Sequence, residues 1–451
     1  MVGNPPYIRI QVLKGIAPED AAYFEDHYAS AGKGNYDIYV VFVERSLQLM
    51  NPKGVLAFIL PHKFFNAQYG EPLRAQLAKG RHLSHVVHFG DQQIFPGATN
   101  YVCLLFLSRA GADACRWVRA DNLPDWLNTL RAPETSLPAA RFTPAEWNFA
   151  VGTNAGLQDK LQALPIKVAR IATRIAQGIR TSANEVYVLD VRSEKGGLIT
   201  AYSKQLDQDV VVERKAVLRF LQGREIKAYS IQSSNKVVLM PYRIQGGDAT
   251  LASERELAQA MPRAFDYYRA NKHYLSQREG GRFKGPEWFQ FGRKQNIDLM
   301  LLPKILVPDI ADRAAFALDE KGDFAFTSGY GITFREGVRE STKYFLALLN
   351  SAVLDWYWRR ISTPLRGGFF RYFTQFIEQL PIVPVDFSNA SERAEHDALV
   401  SLVERILSAK RAAPDADTTA LEREIDERVY RLYGLTADEI KLVEESTQSK
   451  P

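Results

Sequence analysis

Apolar and polar positions alternate along this chain with two distinct periods. From Tyr36 to Met50, Ile38, Phe42, Leu47 and Leu49 fall at roughly helical spacing among Glu44 and Arg45, which predicts a helix closed by Asn51-Pro52-Lys53-Gly54. The run Val55-Leu56-Ala57-Phe58-Ile59-Leu60 has no polar position and ends at Pro61, the signature of a short buried strand. A further helix is expected near Glu71–Ala78, and strands at Leu83–Phe89 and Tyr101–Leu107. Helices alternating with apolar strands predict an α/β sheet with helices packed on it.

The pattern then changes. Residues 111–165 are rich in Ala, Pro and Asp and read as a connector with short elements. From about 166 to 385, glycines mix with basic and aromatic residues, and short strand-like runs appear at Val186–Leu189, Lys236–Met240 and Lys304–Val307. This predicts a mixed α+β domain. After Asp386 the periodicity is helical again, with i,i+4 charge partners in Asp397–Ala409 and Leu421–Leu432. The expected organisation is therefore 1–110, 111–165, 166–385 and 386–451.

Composition narrows the class without naming it. The 451 residues are 46% hydrophobic and 24% charged, ordinary for a globular protein with sizeable cores. A net charge of +5 is compatible with a polyanionic partner. Cys103 and Cys115 are too few for a disulfide framework, which points to a reducing, cytoplasmic setting. No stretch is apolar enough to span a membrane, and neither the histidines nor the cysteines have metal-ligand spacing.

The chemistry concentrates in Asn4-Pro5-Pro6-Tyr7. Two successive prolines fix φ and remove two backbone donors, so the carbonyls of Asn4 and Pro5 are left to accept hydrogen bonds from another group. The Asn4 side-chain oxygen and the Pro5 carbonyl suit the two hydrogens of an exocyclic base amine, with Tyr7 stacking on the ring. Gly3, just before, permits close backbone approach.

With these flanks the chain resembles the adenine-N6 DNA methyltransferases of restriction–modification systems, in the Eco57I/TaqI-like group that carries a TaqI-like C-terminal specificity domain. Gly3–Ile8 resembles the catalytic motif, Tyr36-Asp37-Ile38-Tyr39 the block after it, and Asn51–Pro61 the helix-to-strand segment that follows. Ile94-Phe95-Pro96-Gly97-Ala98-Thr99 resembles the late motif whose aromatic stacks on a flipped adenine, and Ile361–Tyr372 the specificity-domain signature. The resemblance implies the C-terminal half of a Rossmann-like methyltransferase sheet, then an α+β target-recognition domain and C-terminal helices. It implies methyl transfer from S-adenosylmethionine to a flipped-out adenine in double-stranded DNA. Asn4, Pro5, Pro6 and Tyr7 are then the catalytic residues, Tyr7 and Phe95 the stacking rings, and Gly3 and Pro6 the residues next to the methyl donor. DNA contacts are expected from Arg180, Arg293, Gln295, Arg366, Gly367, Gly368, Arg371 and Tyr372.

The group's glycine-rich cofactor loop precedes the catalytic turn, and only Met1, Val2 and Gly3 do so here. The expectation is a truncated enzyme, or one half of a split enzyme whose partner polypeptide binds the cofactor. The alternative is a DNA-binding specificity subunit without catalysis of its own. Asp209 followed by Glu225-Ile226-Lys227 has the skeleton of a Mg2+-dependent nuclease, but Gly223–Tyr229 resembles part of the specificity domain, and a surface charge cluster is the favoured account.

Overall fold

A computed structural model describes residues 1–90, 92, 94–95, 101–147, 149, 153–365 and 367–448. The chain divides into two compact units, Met1–Gly156 and Leu157–Pro451.

The first unit is an α/β sandwich. Its six strands are β1 (Val2–Gly3), β2 (Val55–Pro61), β3 (Leu83–His88), β4 (Val102–Ser108), β5 (Ala114–Arg119) and β6 (Glu134–Pro138), in the order β1-β2-β4-β3-β5-β6. β1 runs parallel to β2, with Val2 opposite Ala57 and Gly3 opposite Phe58. β4 is antiparallel to both β2 and β3.

Strand alternation sends Leu56, Phe58 and Leu60 to one face, where they meet residues of α1 (Ile10–Ile16), α2 (Pro18–His27), α3 (Tyr39–Leu49) and α4 (Glu71–Lys79). Leu56 and Leu60 are fully buried, each contributing roughly 1.5–3 kcal/mol by removal from water. Ile59, Leu104 and Val87 line the other face, which α5 (Leu123–Thr129) covers through Leu123 and Trp126.

The expected elements of this unit appear within a few residues of their predicted ends. The segment 111–165, expected to connect, instead supplies β5 and β6: β5 pairs in parallel with β3, and β6 closes the sheet antiparallel to β5.

In the second unit a six-stranded sheet has the order 208–213, 198–203, 188–195, 236–239, 217–221 and 324–326. A four-stranded sheet runs 317–319, 304–308, 329–334, 172–177. The run Val186–Leu189 is split: Val186 and Tyr187 belong to a helical turn, and the strand begins at Val188. Helices Thr342–Asn350 and Ala352–Ile361 bury Phe345, Leu346, Leu349 and Trp356 against Leu399, Val403 and Ile406 of helix Ala390–Ala412. The C-terminal helices thus share a core with the region before them rather than forming a separate appendage. Among the described residues no helix is long and apolar enough to cross a membrane, and no group of acidic, histidine or cysteine side chains has metal-binding geometry.

Candidate active-site turn and nucleic-acid cleft

β1 is two residues long and ends at Gly3, so the Asn4–Tyr7 turn leaves the sheet at the carboxyl end of a parallel pair. In open α/β sheets that end is where ligands bind. Asn4 and Pro6 are exposed, Pro5 is buried and Tyr7 is half-buried. Among the described residues no backbone donor reaches the carbonyls of Asn4 or Pro5. Tyr7 is fixed: its hydroxyl donates to the Ile59 carbonyl at 2.8 Å, and its ring meets Tyr39 edge-on at 6.4 Å. Burial, with a smaller effect from Cys103, pushes the Tyr7 pKa up to about 12, so the hydroxyl stays a donor.

The chain after the turn is pinned to the Tyr36–Tyr39 block. Ile38 donates its backbone N–H to Ile8, Ile10 donates to Tyr36, and Arg9 bridges Asp37. Beneath this lies a network that the sequence did not single out as functional: the Tyr39 and Tyr69 hydroxyls lie 2.8 Å apart, and Tyr69 donates to Asp37 at 3.4 Å. Burial raises both phenols, so both hydroxyls stay protonated.

Phe95 and Tyr7 pack against the same apolar cluster of Val87, Phe89, Val102, Val118 and Ala120. Both proposed stacking rings, with 87 residues between them in the chain, thus meet one cluster. Pro96–Thr99 of the late motif lie outside the described residues. Gly3 has a packing reason for lacking a side chain: a Cβ there would lie 2.8 Å from the Phe58 ring.

At the same end of the sheet, His62 follows β2 and His88 ends β3, their rings 4.2 Å apart. Burial pushes His62 down to about pKa 4 and His88 well below its ordinary value. Nothing local in sequence couples the two.

In the second unit the DNA-contact candidates separate into distinct environments. Arg180 is exposed and donates to the Gln177 side chain at 2.8 Å. Arg293 forms an isolated bridge with Arg180 through the backbone, but its guanidinium is paired with Glu279 at 3.1 Å. Gln295 is exposed, beside Lys294, which pairs with Glu287. Gly367 and Gly368, both at positive φ, form the turn between Pro364–Leu365 and Phe369–Arg371. The Arg371 guanidinium lies over Phe373, 5.1 Å from the ring centre. Arg366 lies outside the described residues.

Tyr372 is a correction. It is fully buried and stacks on Trp358 at 3.7 Å, so its ring belongs to the core and is closed to a base. The Asp209/Glu225/Lys227 arrangement also dissolves. Asp209, on the outermost strand 208–213, pairs with Arg192, and three strands separate it from the strand 217–221 that precedes Glu225. Glu225 caps its own turn by accepting from the Gln222 N–H at 2.7 Å.

Residues 177–185, 309 and 327–329 enclose a polar cleft of about 480 Å3. The loop Gln177–Ala183 and the stretch Thr327–Gly331, each suggested separately by sequence, are joined here by Gly178 N–H to the Gly329 carbonyl, with Ile179 N–H bonded to Phe326 just before that stretch.

Comparison with known proteins agrees with this arrangement. The Eco57I restriction-modification methylase family matches residues 1–95, and the TaqI-like C-terminal specificity domain matches residues 218–382. The Escherichia coli Type II restriction enzyme and methyltransferase RM.Eco57I is 25% identical over 96% of this chain and 45% of its own length. The Pseudomonas aeruginosa Type II methyltransferase M.PaeR7I is 24% identical over 97% of this chain and 71% of its own. The solved structure of the Type IIL restriction-modification enzyme MmeI in complex with DNA shares the fold, with a TM-score of 0.61 at 12% identity over 99% of this chain and 56% of that one. This chain spans less than half of RM.Eco57I and little more than half of MmeI. The chain therefore joins a segment of the Eco57I restriction-modification methylase family to a TaqI-like C-terminal specificity domain, and its relatives are Type II restriction-modification methyltransferases.

Proposed function

We propose that this chain holds an adenine, flipped out of double-stranded DNA, for methylation at N6, and that its second unit recognises the DNA. The observation that carries the reading is the exposed Asn4 carboxamide at the carboxyl end of β1, beside two carbonyls that accept no backbone hydrogen bond among the described residues. The curated relatives, named as Type II methyltransferases, support methylation in general.

The Asn4 Oδ1 and Pro5 carbonyl oxygens each accept one hydrogen of the adenine amine. This draws N6 from planar toward tetrahedral geometry and localises its lone pair, which is otherwise delocalised into the ring. The acceptors are preorganised, because the prolines hold the turn and the Tyr7–Ile59 bond holds its far end. Tyr7 and Phe95 supply apolar surface for the base once it leaves the stack. No general base is required before attack, since N6 itself is the nucleophile.

S-adenosylmethionine, as methyl donor, supplies an electrophilic methyl group. The described residues offer acceptors for the base and little for the donor: Gly3 has no side chain, the space for one being closed by the Phe58 ring, and Pro6 presents only an exposed ring. No step is therefore assigned to this chain on the donor side.

The test is methyl transfer into random-sequence duplex from S-adenosylmethionine by this chain reconstituted with a polypeptide that supplies the cofactor-binding segment, with the nucleosides identified by mass spectrometry. N6-methyladenine is expected, reduced at least about 100-fold by Asn4→Ala, the scale of losing a preorganised polar contact to the reacting centre. Methylcytosine, or a rate indifferent to Asn4, would overturn the reading.

A further inference from the structure

The polar cleft of the second unit distinguishes a base from a phosphate as its ligand. Its wall carries one exposed cation, Arg180, and two carboxylates, Asp309 and Glu185. Carboxylates repel a phosphate, whereas a base-pair edge presents donors and acceptors side by side and suits both signs.

Arg180 has no carboxylate partner among the described residues, unlike Arg293, which Glu279 neutralises. A relay orients Arg180 instead. Its Nη2 donates to Gln177 Oε1 at 2.8 Å, and Gln177 Nε2 donates to the Tyr330 hydroxyl at 2.8 Å. The Gln177 backbone carbonyl is held in turn by Asn296 Nδ2 at 3.2 Å. The rest of the guanidinium fork is left for a ligand. Tyr330 senses both charged walls: burial raises its pKa, the Gln177 hydrogen bond lowers it, and Asp309 and Arg180 act on it in opposite directions.

The backbone around the cleft is held under strain. Ser182 (φ 57°) and Ser328 (φ 52°) line it, and Asn296 (φ 63°) supports it, all in the left-handed region. Such outliers persist where surrounding structure over-determines them, as at ligand sites. Two glycines allow the close approach. A Cβ on Gly178 would sit 2.1 Å from the Phe326 carbonyl oxygen, and one on Gly292 would sit 1.8 Å from Ser182 Oγ.

We propose that this cleft is a base-reading subsite in which Arg180, positioned by Gln177 and Tyr330, reads guanine through O6 and N7 in the major groove, while Asp309 accepts from the exocyclic amine of cytosine. A G·C pair presents those acceptors and that donor on one edge. The proposal rests on the reading of this chain as a DNA-binding protein. It goes further by assigning one arginine to sequence and setting the other aside.

The test is enrichment of a randomised duplex pool by the full chain, with the same selection on variants whose thermal melting matches the parent. The parent is expected to fix at least one G·C position. Arg180→Ala should relax that position, losing roughly ten- to hundred-fold discrimination while other positions hold. Asp309→Asn and Tyr330→Phe should relax the same position in part, and Arg293→Ala should leave the selected sequence unchanged. A uniform loss of affinity in Arg180→Ala, with the salt slope reduced by about one, would mark a phosphate contact and overturn the assignment while leaving DNA recognition standing. Failure of the parent to enrich any sequence would overturn both this assignment and the DNA-recognition half of the proposed function.

Discussion

The Tyr7 hydroxyl donates a 2.8 Å hydrogen bond to the Ile59 carbonyl. That bond ties the end of the Asn4–Tyr7 turn to the strand beside β1, so the turn is anchored at both ends. Gly3 anchors the start by its pairing with Phe58.

Tyr7→Phe keeps the ring and deletes the donor, leaving the Ile59 carbonyl short of a partner. The expected loss is about 1 kcal/mol of stability in the first unit, the net value of such a bond. Base stacking should survive. Denaturant titration of parent and variant, followed by a probe in residues 1–156, checks the first point. A loss beyond about 3 kcal/mol would mean that the hydroxyl supports more of the unit than this one contact.

Acid should weaken the first unit through His62. Its folded pKa is about 4 against an ordinary 6.5. The unfolded chain therefore binds the extra proton first, and stability is lost as pH falls below about 6.5 toward 4. His88, depressed in the same direction and in contact with His62, adds to the trend. His62→Gln should flatten the slope of unfolding free energy against pH in this window. An unchanged slope would show that His62 is not the group that titrates.

Asp426 predicts the opposite trend in the second unit. Burial raises its pKa to about 7 from 3.8, ahead of the hydrogen bond it accepts from the Ala352 N–H, which lowers it. A carboxyl with a raised folded pKa contributes stability while protonated, and that contribution is lost as pH rises from about 4 through 7. Asp426→Asn keeps an oxygen for Ala352 and removes the ionisation. Its melting temperature should exceed the parent's at pH 8 and converge with it near pH 4. Equal melting temperatures at pH 8 would contradict the assignment.

Gly178→Ala should destabilise the second unit and distort its cleft. The obstructing atom is the backbone oxygen of Phe326, which no rotamer change can move. Overpacking of this kind costs about 1–3 kcal/mol. Gly285→Ala, at a position with open space and no left-handed φ, controls for the added methyl without a steric clash. If the two variants melt alike, the close approach at Gly178 is not what demands glycine.

Local signals explain what the sequence revealed. β2 was legible because six successive apolar residues end at a proline, and the turn was legible because two prolines lie between an asparagine and a tyrosine. β5 and β6 were not, because each is short, sits in an Ala- and Pro-rich segment, and earns its place by pairing across the sheet. Val186–Leu189 has a strand's composition, yet its first two residues close a helical turn. Tyr372, between arginine and phenylalanine near two glycines, had the look of an exposed stacking ring; only Trp358, distant in sequence, shows it to be core. The separation of Arg180 from Arg293 likewise depends on Glu279, fourteen residues from Arg293, and on Tyr330, far from Gln177 in the chain. The Tyr7–Phe95 grouping was implied by family resemblance, and their common cluster is a matter of tertiary packing alone.

The most direct test of the central claim is a thermodynamic cycle between the Asn4 side chain and the adenine amine. Affinity would be measured for a selected duplex carrying either adenine or purine, which lacks the amine, at the target position, with the parent and with Asn4→Ala. The account predicts that the parent prefers adenine, that Asn4→Ala abolishes most of this preference, and that the coupling is about 1 kcal/mol or more. A coupling of zero, with both proteins ranking the two duplexes alike, would contradict the assignment of the Asn4–Tyr7 turn to the adenine amine.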